Sequence, residues 1–105
     1  MREGTLGEYL VRTVGWRTAP QVLGLLWAWG MFVRSHGRAP SIYELAGDSR
    51  RSQAQWYRDQ QAFLRAFPDE ESPDRIARIL AADLTVRHRG PAAGFSVSMG
   101  KLAAS

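Results

Sequence analysis

The chain has 105 residues, of which 45% are hydrophobic and 23% charged, and this size and balance predict a single globular domain. It contains no cysteine, which excludes disulfide frameworks, cysteine-ligated zinc and thiol catalysis. The net charge of +4 and a pI of about 10.3 favour an acidic partner such as nucleic acid.

Capping boxes predict the starts of four helices along the chain. In such a box a Ser or Thr hydroxyl and a Glu or Gln side chain three residues later each pair with a free backbone N–H. The spacing occurs at Thr5–Glu8, Thr18–Gln21, Ser41–Glu44 and Ser52–Gln55. Gly15, Gly37 and Gly47 follow the first three helical segments and predict where they end.

The second helix is predicted to be the buried centre of the domain, because Val22 to Val33 is apolar almost all round. Gly24 and Gly30 within it indicate sites of close packing. The apolar run is about a dozen residues, short of the roughly 20 needed to cross a bilayer. Because the N-terminus also lacks the apolar segment of a secretory signal, we expect a cytoplasmic protein with no membrane partner.

The fourth helix, from Ser52 to about Phe67, is predicted to be amphipathic. With Trp56 as the buried reference, a period of 3.6 residues per turn separates its side chains into two faces. The inward set is Trp56, Gln60, Phe63, Leu64 and Phe67. The outward set is Ala54, Arg58, Gln61 and Arg65, flanked by Gln55 and Tyr57.

A fifth helix is predicted to begin at Ser72 and Pro73, with Asp74 placed favourably in its first turn. Its apolar stripe is Ile76, Ile79, Leu80 and Leu84, and the helical pattern stops beyond Thr85. Alternation at Phe95, Val97 and Met99 is compatible with one strand or with a flexible segment. We therefore expect a helical domain over residues 1–85 and a C-terminal tail over residues 86–105.

The segment GRAPSIYELAG, with a serine six positions after its last alanine, resembles a motif of bacterial helix-turn-helix and winged-helix regulators, G-x-x-P-S/T-x-x-E-L-A-x5-S. The matching positions are Pro40, Ser41, Leu45, Ala46 and Ser52. The resemblance covers about residues 20–67. It implies an all-α, compact domain of about five helices containing a helix-turn-helix, in which Ser52 caps the recognition helix.

The turn of this motif departs from the family pattern. Ser49, Arg50 and Arg51 stand where family members place a leucine, a glycine and another apolar residue that pin the turn to the core. This departure predicts a less anchored turn. It also puts two guanidinium groups beside the start of the predicted recognition helix, where DNA phosphates would pass.

With that helix in a major groove, glutamine amides can pair with adenine and arginine with guanine, while flanking groups hold phosphates. The candidates to read bases are Gln53, Gln55, Tyr57, Arg58 and Gln61. The candidates to hold the backbone are Arg38, Ser41, Arg50, Arg51 and Ser52, although the two serines are also helix caps. Glutamine and arginine equally suit a solvated helix that has no ligand.

The expected function is therefore sequence-specific binding of double-stranded DNA by a transcriptional regulator of a bacterium, phage or plasmid. A homodimer is expected, without a cofactor, metal or small-molecule substrate. An enzyme is not expected, because His36 and His88 have no carboxylate at ligand spacing and no phosphate loop is present. The alternative is a protein-interaction module, an adaptor or inhibitor, on the same helical core.

Overall fold

Residues 5–87 are described by a computed structural model, with side chains assigned as far as Asp83. They form five helices and no strand, which confirms the predicted all-α class. The helices are α1 (Leu6–Val14), α2 (Ala19–His36), α3 (Ile42–Gly47), α4 (Gln53–Ala66) and α5 (Asp74–Arg87). The possible strand at Phe95, Val97 and Met99 lies outside the described residues. The assignment of α3 and α4 as a helix-turn-helix remains a prediction.

The capping boxes at Thr5 and Ser41 are complete. At the start of α1, the Glu8 N–H donates to Thr5 Oγ1 at 3.2 Å and the Thr5 N–H donates to Glu8 Oε1 at 2.9 Å. Ser52 caps α4 by accepting from the Gln55 N–H at 3.1 Å, but the Gln55 side chain turns toward Asp59 and leaves that box half formed. The predicted helix starts are thus confirmed at these three places.

The box predicted at Thr18 is wrong, although α2 does begin there. Thr18 has helical backbone angles, φ −88° and ψ −28°, and its hydroxyl makes no capping hydrogen bond. The reason is that the chain already turns before α2, since the Ala19 N–H donates to the Gly15 carbonyl at 2.9 Å. A capping side chain needs an extended backbone to reach the first-turn N–H groups.

The prediction that α2 is the central helix is confirmed, since it packs against α1, α4 and most extensively α5. The largest fully buried apolar side chains are Leu6, Leu10, Val22, Leu25, Leu26, Phe63, Ile76 and Leu80. Burial of each such side chain contributes about 1.5 to 3 kcal/mol. Within the described part of the chain, no helix is both long and apolar enough to span a membrane.

Gly30 lets α2 and α5 approach closely, as predicted. A Cβ atom at this position would lie 2.9 Å from the Ala77 carbonyl oxygen and 3.0 Å from the Ala81 Cβ. The corresponding prediction for Gly24 is wrong, because that glycine is exposed and nothing lies within 4 Å of the Cβ position. A second link between α2 and α5 is the Trp29 indole N–H, which donates to Asp74 Oδ1 at 2.9 Å.

The buried face of α4 differs from the predicted one. The buried residues are Trp56, Asp59, Ala62, Phe63 and Ala66, whereas Gln60, Leu64 and Phe67 are half-buried. The face is therefore rotated by about a fifth of a turn toward Asp59. The pattern of apolar residues alone does not predict a buried carboxylate. Hydrogen bonds from Arg51 and Gln55 stabilise the Asp59 side chain in this position.

Candidate nucleic-acid interface

Polar side chains anchor the turn between α3 and α4. The Ser49 hydroxyl accepts hydrogen bonds from Trp56 Nε1 at 3.1 Å and from the Arg51 N–H at 3.2 Å. The Arg51 guanidinium donates hydrogen bonds to both carboxylate oxygens of Asp59, from Nε to Oδ2 at 2.6 Å and from Nη2 to Oδ1 at 2.9 Å. The prediction of a less anchored turn is therefore wrong. A bidentate ion pair and an indole hydrogen bond take the place of the apolar anchors.

Asp59 is the centre of a network that runs from this turn to the surface. Its side chain has no exposed area, and besides Arg51 it accepts a hydrogen bond from Gln55 Nε2 at 2.9 Å. The side-chain oxygen Oε1 of Gln55 in turn accepts a hydrogen bond from Arg58 Nη2 at 2.7 Å. The hydrogen bonds from Arg51 to Asp59 raise the pKa of the Arg51 guanidinium, so this half-buried arginine keeps its positive charge beside Asp59.

The outer face of α4 presents arginine, glutamine and tyrosine to solvent. Gln53, Ala54, Tyr57, Arg58 and Arg65 are exposed, with Tyr57 at 56%, and Gln61 is half-buried. The sequence of α4 contains one carboxylate, Asp59, which is buried on the opposite side. The outer face therefore carries two positive charges and no negative charge. Arg50 extends it on the turn, exposed and without an ion-pair partner among residues 5–87.

Arg38 and Ser41 meet at Glu44 in the first turn of α3. Arg38 donates from Nη1 to Glu44 Oε1 at 2.9 Å and from Nη2 to Oε2 at 2.6 Å. The Ser41 N–H also donates to Glu44 Oε1, at 3.0 Å, and the Ser41 hydroxyl accepts from the Glu44 N–H. The Arg38 hydrogen bonds, followed by the Ser41 backbone hydrogen bond, lower the pKa of Glu44 to about 2. The charge of Arg38 is thus balanced, although its side chain is 57% exposed.

The predicted site residues therefore fall into three groups. The first group is accessible on α4 and its turn: Arg50, Gln53, Tyr57, Arg58 and Gln61. The second group is held by neighbouring carboxylates, Arg51 and Gln55 by Asp59, and Arg38 by Glu44. The third group, Ser41 and Ser52, caps helices. The structure places four members of the first group on the outer side of α4 and exposes Arg50 on the preceding turn, and it shows that the second group is hydrogen-bonded within the chain.

Sequence reasoning did not assign three residues to the site, namely Ser49, Asp59 and Arg65. Arg65 lies two helical turns after Arg58 on the same side, and this seven-residue spacing was a sufficient signal. Asp59 carried a weaker signal as the one carboxylate in a helix with two arginines. Ser49 carried none, because its role depends on the indole of Trp56.

Comparison of the chain with protein-family models, with curated proteins and with solved structures finds no match. The resemblance to helix-turn-helix regulators therefore rests on the motif residues alone. Among residues 5–87, no group of three or more histidine or acidic side chains is arranged to hold a metal ion. The candidate site is thus defined by the surface chemistry of α4.

Proposed function

We propose that the protein binds duplex DNA through the outer face of α4, as a homodimeric transcriptional regulator in the cytoplasm of a bacterium. The observation that carries the proposal is the segregation of charge on α4. Its one carboxylate is buried and paired with Arg51, so the polar groups on its solvent face are guanidinium, amide and phenol groups, with no carboxylate. These groups suit phosphates and base edges, and no carboxylate of the helix repels the DNA backbone.

The residues of this face have separate roles in the proposal. Gln53 and Tyr57 occupy the first two turns of α4, the part of a recognition helix that approaches the bases, and Gln61 follows one turn later. Arg50, beside the start of the helix, holds a phosphate. Arg51 is a positioning residue, because its guanidinium is committed to Asp59 and orients the turn that presents Arg50.

Arg38 adds to the backbone contacts without leaving Glu44. A guanidinium has five N–H donors; two pair with Glu44 and Nη1 also donates to the Ala39 carbonyl at 3.3 Å, so the remaining donors are directed to a phosphate. Ser41 and Ser52 serve first as caps, since both hydroxyls accept from the N–H groups of their own helices. The sequence-specific part of binding therefore belongs to α4, and the contacts of Arg38 and of the two capping serines are independent of base sequence.

The test is the salt dependence of binding to a fluorescently labelled pool of random duplexes, measured by anisotropy at 50 and 200 mM salt. Three to four phosphate contacts predict that affinity falls roughly 40- to 150-fold between these concentrations. Selection from the same pool should then enrich a sequence whose preference weakens in Gln53→Ala and Tyr57→Ala. Absence of binding at 50 mM salt would show that the proposal is wrong.

A protein partner is the second candidate function, and exposed aromatic side chains favour it. Trp16 is 68% exposed and Tyr43 is 73% exposed, and both residue types are enriched at protein interfaces. Such a partner would bind with weak salt dependence, unlike DNA. This candidate would be supported if the double variant Arg50→Gln, Arg58→Gln still bound the protein partner and Trp16→Ala did not.

A further inference from the structure

An open cleft of about 270 Å³ lies between the start of α2 and one flank of α4. Thr18 and Gln21 line it from α2, and Arg58, Gln61 and Arg65 line it from α4. None of the described residues that line this cleft is acidic. The two helices thus border an open space that is lined mostly by side chains able to donate hydrogen bonds.

The donors of the cleft are largely uncommitted. Neither Arg58 nor Arg65 forms an ion pair among residues 5–87, and both are exposed. The Thr18 hydroxyl makes no capping hydrogen bond. Arg58 is held by one hydrogen bond, from Nη2 to Gln55 Oε1, and Gln55 is itself held by the buried Asp59. This support orients the Arg58 guanidinium while leaving most of its donors available.

We propose that this cleft binds a phosphate group, with Arg58 and Arg65 as its charged ligands. Guanidinium groups pair with phosphate through parallel N–H donors, and the hydroxyl and amide groups at the cleft supply further donors. The proposal rests on the proposed function where the phosphate belongs to the DNA backbone. A phosphorylated small molecule is the other source of the same chemistry.

The position of the cleft on α4 favours the backbone of DNA. At 3.6 residues per turn, Arg58 and Arg65 both point roughly a quarter turn away from Tyr57. When Tyr57 faces the floor of a major groove, the two arginines therefore face its wall, where the phosphates run. Arg58 is accordingly a phosphate ligand in this arrangement, in place of the guanine contact that the sequence predicts.

The experiment compares Arg58→Gln and Arg65→Gln with the matched control Arg34→Gln. Arg34 is an exposed arginine in the last turn of α2, at the opposite end of that helix from the cleft, and its replacement changes the net charge equally. Affinity is measured for the selected duplex and for a base-substituted duplex at several salt concentrations. Circular dichroism confirms that each variant is folded.

Each cleft variant should weaken both duplexes by the same factor and lower the slope of log affinity against log salt by about 0.9, whereas the control should keep the slope. The loss of affinity between 50 and 200 mM salt would then be about 3.5-fold smaller than for the unmodified protein. Unchanged slopes in both cleft variants, or a changed base preference in Arg58→Gln, would overturn the cleft assignment for DNA.

Titration of the protein with inorganic phosphate and pyrophosphate, followed by NMR, separates the two sources. One outcome is that phosphate shifts the Thr18 and Gln21 amide resonances, that these shifts disappear in Arg65→Gln, and that the protein does not bind DNA. This outcome would retain the cleft and reject the proposed function. DNA binding with unchanged slopes and without phosphate shifts would reject the cleft and retain the proposed function. Absence of both DNA binding and phosphate shifts would overturn both.

Discussion

Replacing Arg51 with methionine would leave the Asp59 carboxylate without its counter-charge inside the domain. The side chain of Asp59 has no exposed area, while that of Arg51 is 33% exposed. Methionine retains the apolar stem of arginine but removes both guanidinium hydrogen bonds to Asp59. Removal of one partner from a buried ion pair costs about 3 to 5 kcal/mol, because the other charge is left buried without compensation. The Arg51→Met substitution would leave the Asp59 carboxylate in that state.

The reciprocal change, Asp59→Asn, should cost less. Asparagine keeps the shape of the side chain, and the Arg51 guanidinium that loses its partner is already one-third exposed and can hydrate further. The expected cost is about 1.5 to 3 kcal/mol, the net value of a hydrogen bond to a charged group. The double variant should be more stable than the sum of the two single costs implies, by about 1 to 3 kcal/mol, because the costs share one interaction.

Urea denaturation followed by tryptophan fluorescence and by far-ultraviolet circular dichroism measures all three free energies of unfolding. In thermal melts, Arg51→Met should lower Tm by at least about 12 °C, since each kcal/mol corresponds to roughly 4 to 8 °C in a domain of this size. Equal costs for the single variants, or a greater cost for Asp59→Asn, would refute the reasoning. Costs below about 1 kcal/mol for both would show that the pair behaves as a surface salt bridge.

The Arg38–Glu44 pair predicts an acid-dependent contribution to stability. Because the folded pKa of Glu44 is lowered to about 2, this contribution is fully present above the ordinary pKa near 4.5 and is lost as pH falls toward 2. The difference in unfolding free energy between the unmodified protein and Glu44→Gln should therefore shrink over that range, and a constant difference would contradict the pairing. Gly30→Ala should destabilise by about 1 to 3 kcal/mol because its Cβ would meet the Ala77 carbonyl, whereas Gly24→Ala should stabilise by up to about 1 kcal/mol. Melting temperatures that shift in the same direction for both alanine variants would contradict the close approach of α2 and α5.

Helix boundaries were predictable where a cap depends on neighbouring residues alone. The hydroxyls of Thr5, Ser41 and Ser52 reach N–H groups three residues ahead, and Gly37 adopts the left-handed backbone that ends α2, with φ 74°. Thr18 has the same local signal and fails, because the preceding turn holds its backbone in the helical region. Local spacing therefore predicts a cap correctly only when the incoming chain is extended.

The candidate site was predictable on the surface and not beneath it. An apolar period separates the inner and outer faces of α4, and it anticipated the exposure of Tyr57 and Arg58. It could not place Asp59, because the burial of that carboxylate depends on Arg51, eight residues earlier and outside the helix. The cleft was equally hidden, since Thr18 approaches Arg58 only when α2 and α4 pack together.

Buried and exposed residues lie on opposite sides of α4, and this arrangement affects how the sequence can diverge. Substitutions at Gln53, Ala54 and Tyr57 alter an exposed surface and leave the core contacts of Trp56 and its buried neighbours intact. The proposed preference for a DNA sequence can therefore change through these positions at little cost in folding. Gln55 is the exception, because it links Asp59 to Arg58 and any change there alters the interior and the surface together.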